Sequence, residues 1–451
     1  MLFSSPVFFV FFAVYYAAHR LLQQSRWQIW LVVVGGAVFY AWWLPAYLPI
    51  PILLTTVGFF GALWVMAKTP ASSARLVGAL VMLVLPLLVF KYTNFIAAQL
   101  GVTAKIVDLP LPLGISFITF TLIAYVVDVA KGQFPVERRF SMLAGYVLFF
   151  PHLIAGPILR PHELLPQLHR VRKLKALPGV AIFSFGLFKK LVVADQIAIA
   201  IDPIFADPAA HSALAAWLAI YGFAVQIYCD FSGYTDMAVG LAILLGVKLP
   251  TNFRQPYAAV SIVDFWRRWH ITLSHWLRDY LYIPMGGNRF GRMRRAGAVL
   301  ATMIIGGLWH GANWTFVIWG VMHGVAVAAV QILGKNQLRL PRWLGISLTF
   351  HFVALAWVFF RAKDLQTALA LLGQAFSGSL NDVAGFLTRN AFVVLLIVAS
   401  LALHRLDDHG RVRAMTRYWP LPVVLAVLFM VWLLAMTISA GSSAAFIYFD
   451  F

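Results

Sequence analysis

Gly306-Gly-Leu-Trp-His-Gly-Ala-Asn-Trp314 sets one titratable imidazole, His310, inside an apolar run that extends over residues 297–334. A run of that length belongs in a bilayer. An ionisable side chain at membrane depth is costly unless it faces a bundle interior, a cavity or a partner. The flanking glycines, with Asn313 three residues on, predict a broken or closely packed helix, where backbone can line a pathway. The stretch therefore reads as helical membrane protein, with His310 as the first candidate for chemistry.

The same composition continues outward. Of 451 residues, 62% are hydrophobic and 11% charged, and the mean hydropathy is +0.83. Such values exclude a soluble globular domain. Long unbroken apolar runs, in place of short alternating segments, exclude a β-barrel. Runs near 6–18, 29–44, 51–67, 76–96, 111–130, 178–200, 213–247, 297–334, 343–360, 391–403 and 420–438 predict an all-α polytopic protein. At roughly 20 residues per crossing, with a kink or hairpin in the two longest runs (213–247 and 297–334), they give about 11 to 13 crossings. Met1 to Tyr16 carries no basic n-region and no small-residue cleavage site, so it is expected to be a retained first span. No linker, low-complexity tract or internal repeat interrupts the chain, and residues 1–451 are read as one membrane domain.

The net charge of +19, from 35 Lys+Arg against 16 Asp+Glu, lies in the loops. In a membrane protein it points to anchoring at the cytoplasmic leaflet and to attraction of phosphate-bearing cytosolic substrates, and not to nucleic acid. Basic loops at Arg20–Arg26, Lys68–Arg75, Lys131–Arg139, Arg160–Lys175, Arg289–Arg295, Lys335–Arg342 and Arg405–Arg417 are expected on the cytoplasmic side. Leu44–Pro51 and Asp202–His211 carry no Lys or Arg and are expected outside, as are both termini. Phe149–Ile158 is too short to span and contains Pro151, Gly156 and Pro157, which suits a re-entrant loop packed in protein. Over Asp264–Tyr282, Trp266, Trp269, Leu273, Trp276, Leu277 and Tyr280 recur at helical spacing against Arg267, Arg268, Arg278 and Asp279. That pattern predicts an interfacial helix, with His270 on it.

A neutral imidazole can take a proton from a hydroxyl as that oxygen attacks an acyl group, and its ordinary pKa lies near the operating pH. His310 and His270 are the candidates, with Asn313 as an orienting partner for His310. Arg267, Arg268, Arg289, Arg292 and Arg294 could meet the phosphates of a thioester donor such as acetyl-CoA. The competing reading makes both histidines satisfied core residues and the arginines solvated anchors. No metal site is expected: the twelve histidines form no HExxH, and His270 and His275 do not share a helix face. No GxSxG elbow, Walker loop or dinucleotide fingerprint occurs. The single cysteine, Cys229, excludes an intrachain disulfide and reads as buried filler.

Seven stretches carry a resemblance. They are Leu111-Pro-Leu-Gly-Ile-Ser-Phe117, Phe150-Pro-His-Leu-Ile-Ala-Gly-Pro157, Phe185-Gly-Leu-Phe-Lys-Lys190, Asp230-Phe-Ser-Gly-Tyr-Thr-Asp236, Asn252-Phe-Arg-Gln-Pro256, Phe265-Trp-Arg-Arg-Trp-His270 and Gly307-Leu-Trp-His-Gly311. In that order they resemble the membrane-bound O-acyltransferase (MBOAT) family, in the branch of alginate O-acetyltransferase AlgI and the D-alanyl exporter DltB. The resemblance covers about 100–325 and the tail. It implies an MBOAT fold, a ring of tilted helices with re-entrant and interfacial helices around a central tunnel. It implies His310 as the catalytic histidine and His270 as a second site residue, with no bound cofactor.

The resemblance further implies an acetyl-CoA donor, a periplasmic SGNH-hydrolase-like partner, and O-acetylation of an exopolysaccharide such as alginate at a bacterial inner membrane. Peptidoglycan, teichoic acid or cellulose are alternative acceptors. A non-catalytic transporter using Asp128, Asp230 and Asp236 is the reading from another class. The tail, residues 439–451, ends Phe446-Ile-Tyr-Phe-Asp-Phe451 and is expected outside the cell. An ending of this kind resembles those of the branch, and makes Tyr448 a candidate acyl relay; an interfacial aromatic anchor is the alternative.

Overall fold

Where the apolar runs lie, the chain is helical: every regular element among the described residues is a helix. The computed structural model describes all residues except 68–71, 103, 171, 173, 290, 335–339, 440–446 and 448–451. Tyr448, and parts of the basic loops Lys68–Arg75, Arg160–Lys175, Arg289–Arg295 and Lys335–Arg342, therefore lie outside the described residues.

Among the described residues, seven helices are long and apolar enough to cross a membrane, or eight if the bent pair Val383–Arg389 and Ala391–Leu406 is one span. The protein is a multi-pass, all-α membrane protein. Part of the remaining apolar sequence forms the shorter helices Pro6–Leu22, Gln28–Ala41 and Ile115–Ala130. At 17, 14 and 16 residues they fall below the roughly 20 of an ordinary crossing. The two longest runs behave differently. Residues 297–334 form a hairpin of Gly291–His310 and Trp314–Leu333, as expected. Residues 213–247 form no hairpin: Ala213–Leu244 is one continuous 32-residue helix, because no proline interrupts it and its three interior glycines, Gly222, Gly233 and Gly240, are tolerated.

Two compact units emerge, Met1–Phe183 with Tyr234–Pro250, and Ser184–Gly233 with Thr251–Phe451. In the first, Phe8, Phe11 and Phe39 close around Phe150, with ring centroids 5.4–6.3 Å from it. Phe150 lies in the stretch expected to be re-entrant, Phe149–Ile158. Phe149 to Leu159 is buried throughout and contains only one short helix, Phe150–Leu153. Its polar backbone is answered by protein: Tyr146 Oη donates to the Leu159 carbonyl at 2.7 Å, and His152 Nε2 meets the Tyr146 carbonyl at 2.9 Å. Irregular backbone at this depth needs such partners.

The second unit is organised by close helix contact and buried ion pairs. A Cβ on Gly307 would overlap the Phe316 carbonyl, and one on Gly320 the Met303 carbonyl, so the hairpin's arms pack backbone to backbone. The adjacent lysines of a π-helical turn, Lys189–Ala194, serve separate carboxylates. Lys189 Nζ lies 3.0 Å from Asp407 Oδ2, which also accepts from Tyr228 Oη at 2.6 Å. Lys190 Nζ lies 2.8 Å from both Asp195 and Asp230. Asp230 Oδ2 accepts the Ile447 N–H at 2.8 Å, which fixes that one residue of the tail in the second unit. A buried charge requires such pairing.

Candidate functional site

His310 is the last residue of the Gly291–His310 helix and is buried. Three aromatic rings stand against its imidazole: Trp309 at 4.9 Å, Trp319 at 5.4 Å and Phe360 at 5.0 Å between centroids, all near edge-to-face. Trp319 comes from the returning arm of the hairpin and Phe360 from the Arg342–Arg361 helix. Edge-to-face packing fixes the plane of the ring while excluding water. The glycines explain the location: with Gly307 and Gly320 bare, the arms come close enough for Trp319 to reach the end of the opposite helix.

His270 arrives differently. The aromatic-and-arginine pattern over Asp264–Tyr282 is no single interfacial helix. It consists of Ile262–Trp266, Ile271–Leu277 and a π-helical turn Arg278–Tyr282, with a break at residues 267–270. His270 itself takes the left-handed conformation, φ 42° and ψ 55°, uncommon for a residue with a side chain. The break is held by Asn252. Its Oδ1 accepts the Thr272 N–H at 3.2 Å, the Thr272 hydroxyl at 2.9 Å and His270 Nδ1 at 3.1 Å. Backbone pairing adds to this, with Arg254 N–H donating to the Arg268 carbonyl and Ile271 N–H to the Asn252 carbonyl, both at 2.9 Å. The amphipathic reading holds locally: Trp269, Leu273, Trp276 and Leu277 are buried, while Arg267 and Arg278 are exposed.

These bonds set the chemistry of the ring. Because a backbone N–H points at Asn252 Oδ1, that atom is an acceptor, and His270 Nδ1 must carry the proton it donates. Nε2 is then the lone-pair nitrogen; it is fully buried and has no hydrogen-bond partner among the described residues. Burial pushes the imidazole down to about 3, so the ring is neutral at neutral pH. Trp309 stands between the two histidines, 6.4 Å from the His270 ring and 4.9 Å from that of His310. The arrangement offers a neutral, oriented base in an aromatic setting that keeps water out.

Asn313 and the arginines make contacts of their own. Asn313 Oδ1 accepts the Thr315 N–H at 3.1 Å and its Nδ2 donates to the Lys363 carbonyl at 2.8 Å, so the amide caps the Trp314–Leu333 helix and ties the next loop to it. Its visible work is on backbone, where the sequence reading had it orienting the imidazole. Arg267 is exposed, whereas Arg268 donates from Nε to Asp264 Oδ1 at 2.9 Å and lines a cavity of about 530 Å³. Arg289, Arg292 and Arg294 are exposed near the start of the His310 helix and do not line that cavity.

Sequence reasoning missed two site residues. Asn252 stood in a quoted motif with no role attached. His323, fully buried, receives the Trp266 indole N–H on Nδ1 at 3.3 Å and lies 4.8 Å from the Trp319 ring. It was findable by the rule that flagged His310, since it too is an imidazole inside an apolar span.

Similarity to known proteins decides the family. The MBOAT, membrane-bound O-acyltransferase family, model matches residues 139–363. The probable alginate O-acetylase AlgI of Pseudomonas syringae pv. tomato is 40% identical over 398 residues, covering 84% of this chain and 75% of that protein. The chain belongs to the membrane-bound O-acyltransferase family. The peptidoglycan O-acetyltransferase of Helicobacter pylori is 38% identical over 417 residues, covering 82% of this chain and 79% of that one. The teichoic acid D-alanyltransferase of Bacillus subtilis is 29% identical over 275 residues, 56% of this chain and 69% of that one. This membrane-bound O-acyltransferase is therefore an enzyme that moves an acyl group to oxygen, and His270, His310 and Asn252 all lie within the matched region.

Proposed function

We propose that this membrane-bound O-acyltransferase takes an acetyl group from a cytoplasmic thioester, acetyl-CoA, and delivers it across the bacterial inner membrane for O-acetylation of an exopolysaccharide such as alginate. The similarity to alginate O-acetylases over 84% of the chain supports the acyl group and the acceptor class. The buried His270–Trp309–His310 group is the observation that carries the chemistry. The basic loops support a cytoplasmic donor side and termini on the outside.

The step balances simply. His310 takes the proton of an acceptor hydroxyl as that oxygen attacks the thioester carbonyl. The carbon–sulfur bond then breaks, the thiolate leaves and takes a proton, and an ester remains. His270, kept neutral by burial and oriented through Nδ1 by Asn252, is the second imidazole of the site, with its Nε2 lone pair available to accept a hydrogen bond. Tyr448 is the proposed acceptor in the chain itself, passing the acetyl group to a periplasmic SGNH-hydrolase-like partner that completes transfer to the polymer. The likeness to the Helicobacter pylori peptidoglycan O-acetyltransferase supports a second reading, in which the acceptor is a cell-wall polymer.

The test is acetyl ester content of the polymer in cells carrying His310→Ala at wild-type membrane levels. Loss of all product acetylation is expected, and wild-type acetylation by that variant refutes the assignment. In the same assay Tyr448→Phe should also lose acetylation; full acetylation there removes the relay and leaves the role of His310 standing.

A further inference from the structure

Within the second unit, basic segments far apart in the sequence meet around the cavity of about 530 Å³. Arg268 comes from the break before His270 and Arg342 from the first residue of the Arg342–Arg361 helix. Arg405 and Arg411 come from either side of the Asp407–Asp408 corner. Asp408 is the only carboxylate in the lining, and its oxygen caps the His409–Tyr418 helix by accepting from the Gly410 N–H. Arg268 is paired with Asp264, but Arg342, Arg405 and Arg411 make no ion pair among the described residues. The next carboxylate along, Asp407, is taken by Lys189 and Tyr228. Three of the four guanidiniums in the lining are thus left without an ion pair among the described residues.

The walls are fixed before any ligand arrives. Gln255, itself left-handed at φ 51°, donates from Nε2 to the carbonyls of Arg405 at 3.2 Å and Asp407 at 3.4 Å. Through Arg254 N–H its segment is bonded to the Arg268 carbonyl. A rigid concave surface presenting several guanidiniums is matched by phosphate oxygens, which accept paired N–H bonds from each fork. Nothing in the lining suits a neutral or cationic ligand so well.

We propose that this cavity is a phosphate-binding site, distinct from the aromatic setting of His310, that takes a phosphate ester or diphosphate. Two sources present that chemistry. One is the headgroup of an anionic lipid, which the exposed Trp343, Leu406, Tyr418 and Trp419 nearby in sequence would accompany at a bilayer surface. The other is the nucleotide end of a soluble ligand. The site stands without the acetylation reading, because it rests on charge and shape alone.

The experiment uses the full chain purified in a neutral detergent and titrated with inorganic pyrophosphate, following the shift of the thermal midpoint. Saturable stabilisation is expected, with affinity at least about tenfold weaker in an Arg342→Gln/Arg411→Gln double variant, both positions being exposed. Displacement of pyrophosphate by an adenosine bisphosphate assigns the soluble source. Displacement by short-chain phosphatidylglycerol, and not by phosphatidylcholine, assigns the lipid. An Arg405→Glu variant folded like wild type should bind no pyrophosphate. Binding that survives these substitutions, or that neither phosphate ester displaces, overturns the proposal. No acyl transfer enters the measurement, so its failure is separate from failure of the acetylation test.

Discussion

The hairpin Gly291–Leu333 and the stretch Asn252–Leu277 each deliver a buried imidazole, by opposite means. The hairpin is regular: two helices packed through bare glycines carry His310 to its place, and neighbouring rings hold its plane. The other stretch is irregular: a left-handed residue and one asparagine oxygen decide both where His270 sits and which nitrogen bears its proton. Helix packing supplies position, and broken backbone supplies protonation state. The two properties can be damaged separately.

The largest expected effect falls on the hairpin. Gly320→Val forces a branched side chain against the Met303 carbonyl and the Ile304 backbone, neither of which can rotate away. A cost of about 3 kcal/mol or more is expected, read as loss of monodisperse protein and a lowered thermal midpoint. A folded Gly320→Val variant with full transfer would mean that the arms do not depend on close approach.

Asn252→Ala should cost about 2 kcal/mol by orphaning buried donors, and in the folded fraction it should lower kcat more than it raises the donor KM. Asn252→Asp, which keeps an acceptor at the same point, should recover most of the stability. An unchanged kcat in Asn252→Ala would show that the tautomer of His270 has no part in the chemistry.

Asn313→Ala is the mildest, at about 1 kcal/mol of stability from a lost helix cap, with transfer per folded molecule retained. Transfer lost at unchanged stability would instead restore the orienting role that the sequence suggested.

The contrast also explains what could be read in advance. The hairpin was legible because hydropathy marks a long apolar run and an imidazole inside it is conspicuous. The break at His270 was hidden, because Trp266, Trp269, Leu273 and Trp276 keep helical spacing across it. The residue that holds it open, Asn252, lies 18 positions away. Arg267 and Arg268 gave one signal and yet ended with different exposure, only the second lining the cavity. The cavity itself needs arginines more than 130 positions apart, as Arg268 and Arg405 are, and no local pattern joins them. Continuity of the 213–247 run was likewise invisible, since length alone does not separate one tilted helix from a folded pair.

The paired lysines carry a consequence for how the chain is made. Lys190 has a carboxylate five positions later, within the same stretch of helix, but the partner of Lys189 lies 218 residues downstream. Synthesis runs from the N-terminus, so the ribosome must deliver most of the remaining crossings before Asp407 exists. Until then the Lys189 ammonium, in the Ala176–Ala206 span, lacks that carboxylate. The Lys189–Asp407 pair therefore closes only after most of the chain has been made.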